Sequence, residues 1–199
     1  DLGAFDVVVD AVAGQFTLTA AQADGIQITE SGAADATVTV TALAATLNAD
    51  LSAIAVAIEL ALLDANGGVT LGANLGTNME VIVSDSVPGV GTNVVSFAGS
   101  MVSSNTKFTI AADDITLAFD ANNAHQLTVV ETGGGVANSV VIVNNVDSDL
   151  MNLSGITADT MIANVPADAV MNPATNVGGF RVELAEGADL TLSYAQFLN

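Results

Sequence analysis

"FTLTAAQADGIQITESGAADATVTV", residues 16–40, and "ITLAFDANNAHQLTVVETGGGVANSVVIV", residues 115–143, are two versions of one pattern. Glu30-Ser31-Gly32 in the first faces Glu131-Thr132-Gly133 in the second. The first closes on Thr37-Val38-Thr39-Val40-Thr41, a strict alternation that reads as a strand with Val38 and Val40 inward and the threonines outward. Further strand-like runs recur at Phe5–Val9, Phe16–Thr19, Ile26–Thr29, Val69–Leu71 and Glu80–Val83. Gly, Asn and Asp punctuate them, as at Asp24-Gly25, Asn66-Gly67-Gly68 and Gly133-Gly134-Gly135.

The repetition extends to both ends of the chain. "LGAFDVVVD" at 2–10 is echoed by "LGTNMEVIVSD" at 75–85 and by "VGGFRVEL" at 177–184. "DLSAI" at 50–54 is echoed by "NLSGI" at 152–156. Thr17, Leu18, Ala21 and Gln22 return as Thr191, Leu192, Ala195 and Gln196. The starts at Leu2, Leu75 and Val177 lie 73 and then 102 residues apart. A rung of about 24–26 residues accounts for both intervals. The chain then reads as one elongated domain, 1–199: copy one at 2–74, copy two at 75–176 with an extra rung around 84–114, and the start of copy three at 177–199.

Such a rung fits an all-β fold, a parallel β-solenoid (β-helix) of about eight rungs, roughly 38 Å long at the usual strand spacing. The alternative is a tandem pair of antiparallel β-sandwich modules, whose usual length is close to that of each copy. One segment is ambiguous. Residues 50–67 carry a helix-like face of Leu51, Ile54, Ile58 and Leu62, but their counterpart at 152–176 contains Pro166 and Pro173. Equivalence of rungs favours strand. Phe5 and Phe180 are expected inward at one corner, with Met79 in that role in copy two.

Composition narrows the function. Twenty-two acidic residues stand against two basic ones, for a net charge of −20. That field repels nucleic acid and anionic lipid and attracts cations, Ca²⁺ first among them outside cells. Half the residues are apolar, mostly small and branched, with no Trp and no Cys, so disulfides and thiolate metal sites are excluded. The first residue is Asp, which points to a processed chain or an excised piece. The longest apolar stretch, 53–63, is interrupted by Glu59 and too short to span a bilayer.

"FTLTAAQADGIQI", "ATVTVTAL" and "NLSGI" resemble the β-helical repeats of very large secreted bacterial surface proteins, adhesin-like and surface-layer-like. The resemblance implies an extracellular structural spacer or lattice element, often with Ca²⁺. The strict Gly-Gly-x-Gly-x-Asp calcium repeat is absent. The candidate calcium ligands are Asp113 and Asp114, and Asp147 and Asp149 beside Asn144 and Asn145. The competing reading is that these residues cap corners and turns, as Asp24 and Asp50 do.

Catalysis finds little support. His125 is the lone histidine, with Asp120 nearby, and no nucleophile motif accompanies it. Polysaccharide-cleaving β-helices rely on Arg, Lys and aromatic platforms, and here only Arg181, Lys107 and Tyr194 are on offer. Outward Thr17, Thr19, Thr37, Thr39 and Thr41 raise ice binding, but the array lapses into Ser-Val-Val-Ile-Val at 139–143. The expectation is therefore a non-enzymatic structural protein at the cell surface, without nucleic-acid or membrane partners. It is either a segment of a giant surface protein or a subunit that assembles head to tail. The expected joining ends are Phe5, Val7 and Val9 at one side and Val182, Leu184 and Leu192 at the other.

Overall fold

The computed structural model describes residues 6–9, 15–31, 36–41, 46–47, 50–62, 69–71, 75, 80–85, 93–97, 106–132, 136–147, 149–177, 179–193 and 196. A two-stranded sheet pairs β1 (Val7–Val9) with β3 (Ile28–Glu30). A six-stranded sheet runs β2 (Gln15–Thr19), β4 (Thr37–Thr41), β6 (Ala57–Leu62), β8 (Glu80–Asp85), β10 (Lys107–Ile110), β12 (Thr128–Glu131). A seven-stranded sheet runs β5 (Thr46–Leu47), β7 (Val69–Leu71), β9 (Asn93–Phe97), β11 (Ile115–Asp120), β13 (Val140–Asn144), β14 (Thr160–Val165), β16 (Arg181–Leu184). Another two-stranded sheet joins β15 (Ala169–Val170) to β17 (Leu190–Thr191). The single-turn helices α1 (Ala20–Ala23) and α2 (Ala121–Ala124) form corners.

Every ladder among the described residues is parallel. The fold is a parallel β-solenoid, and parallel pairing excludes the antiparallel sandwich. It winds through about six turns, not eight. Among the described residues, no ladder exceeds seven strands. Residues 50–62 are a corner followed by strand, with no helix, because Ile54 bridges to Ile28 and β6 pairs on both sides.

The core is built from columns of equivalent residues. Val38, Ile58, Val81, Phe108 and Val129 stack in register, each fully buried. Leu18, Val40, Leu60, Val83 and Ile110 form the next column. Thr37, Thr39 and Thr41 alternate with these valines on the outer, half-exposed side, as the sequence alternation requires. Each buried aliphatic side chain contributes about 1.5–3 kcal/mol from burial. Large rings are not absent from the interior. Phe97 and Phe119 stack on successive coils at 4.8 Å, and Phe108 meets both edge-on from the facing sheet.

The repeat is conformational as well as sequential. Ile28 and Val129 each follow a one-turn helix and a left-handed residue, Gly25 (φ 69°) and Gln126 (φ 62°). Each bridges to the next coil, Ile28 to Ile54 and Val129 to Ile156. The hydrogen bonds match: Ala55 N–H donates to Ile28 O at 2.8 Å, and Thr157 N–H donates to Val129 O at 2.9 Å. Yet the equivalent strands lie on different faces. β2, β4, β6 and β8 belong to the six-stranded sheet, and their counterparts β11, β13, β14 and β16 to the seven-stranded one. One repeat therefore advances by a face as well as by several coils.

Candidate functional site

Carboxylates gather at the corners, where the chain needs acceptors for backbone N–H groups that the ladders leave unpaired. Asp24 Oδ1 accepts from Asp50 N–H on the next coil at 2.8 Å. Asp50 Oδ1 accepts from the Ser52 hydroxyl at 2.6 Å and from its backbone N–H at 3.1 Å. Those bonds hold the Asp50 carboxyl below the ordinary Asp range. Asn152 and Ser154 repeat this turn in the second copy, and Asn172 makes the same loop bond to Ala174.

Of the four candidate calcium ligands, Asp113, Asp114 and Asp147 accept corner hydrogen bonds through their side chains, and Asp149 takes part through its backbone N–H. Asp113 Oδ1 accepts from Ala137 N–H at 2.7 Å, and Asp114 Oδ1 accepts from the Asn138 side-chain amide at 3.0 Å. Asp114 and Asn138 are both left-handed and stack one coil apart. Asp147 Oδ1 accepts from Asp149 N–H within its own loop at 2.8 Å. The first pair precedes β11 and the second follows β13, so they occupy different corners. Among the described residues, no three Asp, Glu or His side chains come together as a group.

Outer faces carry ladders of polar side chains linking coils 20 to 27 residues apart. Glu59 accepts from Thr39 at 3.0 Å on one side and from Ser84 at 2.6 Å on the other. Lys107 Nζ donates to Glu80 at 2.7 Å, and this bond holds the Glu80 carboxyl below the ordinary Glu range. Asn164 donates to Asn144, and Asn145 to Asp120. The Ser139 hydroxyl donates to Glu131. His125 serves a corner: its Nδ1 accepts from Asn152 N–H at 3.2 Å. Arg181 is exposed and pairs with Glu183 at 2.6 Å. Lys107 and Arg181 each answer a glutamate on the surface. Tyr194, Phe5 and Met79 lie outside the described residues. Phe180, the remaining member of the expected Phe5–Met79–Phe180 set, points into the core. Among the described residues, no helix is long and apolar enough to cross a membrane.

What remains chemically unfinished is the two ends. In a parallel ladder, successive residues direct their N–H and C=O groups alternately to the two sides. Val7 N–H donates to Gln27 O at 2.9 Å, and Val9 O accepts from Ser31 N–H at 3.1 Å. Val7 and Val9 are thus spent on β3 inside the molecule. Val8, between them, directs its backbone groups outward, and its side chain is 58% exposed. At the other end Ala185 N–H donates to Val165 O, so Arg181 and Glu183 face β14 while Val182 and Leu184 face outward. Leu184 and Leu192 are 48% and 37% exposed. Among the described residues, Val182 and Leu184 thus direct their backbone groups away from β14, and Leu192 follows the end of β17. At the N-terminal side the open residue is Val8, which an inspection of the Val7–Val9 run has no means to select.

The returning sequence near the C-terminus also returns as structure. Ser193 N–H donates to Gln196 Oε1 at 2.9 Å, as Thr19 N–H donates to Gln22 Oε1 at 2.9 Å. Gln196 then anchors the segment by donating to Asn172 O at 2.7 Å.

Against known proteins, the chain matches no family profile, no curated sequence and no solved structure.

Proposed function

We propose that this chain is a non-enzymatic structural element of a bacterial extracellular surface, a repeat segment or subunit of a surface layer, adhesin or filament. The observation that carries the reading is where the polar side chains go. Carboxylates, amides and hydroxyls are spent on fastening coil to coil, as in Thr39–Glu59–Ser84 and Asp24–Asp50. Enzymes instead gather titratable groups in a cleft and leave them poised to react. A rod with an acidic exterior and an apolar interior suits a spacer or lattice element exposed to the environment. The lack of basic residues, two in the whole chain, also leaves almost no sites for trypsin-like proteases.

Immunogold labelling of intact native cells with antibodies to this chain tests the reading. Labelling of the outer surface is the expected result, and label confined to the cell interior overturns it. An immunoblot of the native protein then separates the two forms: a band far above 19.8 kDa is the segment, and a band at that mass is the subunit.

A further inference from the structure

Deepening that reading, we propose that β16 of one copy of this chain seats β1 of a second copy, with Val8 directly opposite Arg181. The seat already exists, filled, inside the molecule. β10 stacks on β8 in the register Ile82↔Thr109 and Val83↔Ile110. β16 is the counterpart of β8, because Thr39–Glu59–Ile82 and Ile142–Ile162–Arg181 are the same three-coil column in the two repeats. β1 is the counterpart of β10, because Val8 pairs with Thr29 as Thr109 pairs with Val130, each one residue past the bridging Ile28 or Val129. Carrying the filled seat onto the ends sets Val8 against Arg181 and Val9 against Val182.

The backbone directions agree, and nothing in the construction forces them to. Ala111 N–H donates to Val83 O, and Thr132 N–H donates to Ile110 O, so Thr109 faces β8 and Ile110 faces β12. Their counterparts behave alike: Val8 faces outward and Val9 faces β3. On the receiving side, Val83 faces β10, and its counterpart Val182, paired with Ala163 in register, directs its backbone groups away from β14, on the side where β16 has no neighbouring strand among the described residues. A mismatch in either parity would have set a side of spent groups against a side of free ones. The adjoining strands are placed to follow. β2 corresponds to β11 and β17 to β9, so β2 of the second copy falls over β17, covering Leu192 with apolar surface.

Charge decides when the contact forms. Asp6 lies at one end, and Glu183, Glu186 and Asp189 at the other, with Arg181 the one base among these residues. Approach is opposed at low salt and allowed once ionic strength brings the screening length to about 10 Å or less.

Disulfide trapping tests the register, since the chain has no cysteine of its own. The full chain carrying Val8→Cys and Arg181→Cys is oxidised at high ionic strength and run on a non-reducing gel. Directly opposed strand residues fall within the Cα spacing a disulfide spans, and the expected result is a ladder of dimers, trimers and longer species. Val8→Cys with Glu183→Cys sets the thiols two residues out of register, beyond the limit of about 7 Å, and should cross-link about tenfold less. Mixing the two single variants should give dimers only. If the double variant loses its circular dichroism spectrum, the mixed singles supply the same readout. No cross-link in either format, or equal cross-linking of the two pairings, overturns the proposal. Neither result touches the surface-protein reading, which stands or falls with the immunogold labelling.

Discussion

His125 occupies the place in the second repeat that Asp24 occupies in the first. Each accepts a hydrogen bond from the backbone N–H of the residue opening the next corner, His125 Nδ1 from Asn152 at 3.2 Å and Asp24 Oδ1 from Asp50 at 2.8 Å. The lone histidine is thus a corner acceptor. His125→Ala should lower unfolding free energy by about 0.5–1.5 kcal/mol, and His125→Asp should restore most of it. Urea denaturation at neutral pH measures both, and an Asp variant no better than Ala would remove the acceptor role.

Gly155 is held by a close approach. A Cβ there would lie 2.6 Å from Leu127 O, a backbone atom that moves only if the coil moves. Gly155→Ala should destabilise by about 1–3 kcal/mol. The counterpart position carries Ala53, so its reverse change, Ala53→Gly, should cost less than about 1 kcal/mol. Thermal melts of the two variants compare the corners directly.

Phe108 joins the two large sheets at one level, with ring centroids 4.9 Å from Phe97 and 5.1 Å from Phe119. Phe108→Ala should cost about 3–5 kcal/mol, more than truncating any single valine of the same column. An equal loss for Val38→Ala would mean that the ring cluster adds nothing beyond aliphatic packing.

Glu80 is held in its charged form by Lys107. Its folded-state pKa therefore lies below the unfolded value. The contribution is therefore fully present above the unfolded carboxylate range and is lost as pH falls through the folded one. Both side chains are substantially exposed, so solvent screening limits the pair to under about 1 kcal/mol. The stability gap between wild type and Lys107→Met should shrink between pH 6 and pH 3 (about the range in which a carboxylate protonates). Comparing the two proteins cancels the general relief of repulsion that acid brings to a chain of charge −20. A gap that widens on acidification would contradict the pairing.

Much of the solenoid is legible from residue order alone, because a strand's inside and outside follow from a period of two. Thr37–Thr41 and Val69–Leu71 are strands with the bounds their pattern indicates, and Val38 and Val40 are buried as their alternation demands. Corner chemistry is local too: Asp and Asn before Ser bond within two residues, which is why "DLS" and "NLS" fold alike. Three features are decided elsewhere. The number of turns depends on ladders between residues 19 to 27 positions apart. The shift of the second repeat by one face shows only in which strands pair, β2–β4–β6–β8 in one sheet and β11–β13–β14–β16 in the other. The direction of each backbone N–H is set by the partner strand, since the same inward side chain is compatible with either pairing side. That is why Val7, Val8 and Val9 become distinguishable only when Gln27 and Ser31 take up two of them and leave the third directed away from β3, and why Val182 and Leu184 part from Arg181 and Glu183 only through the pairing with β14.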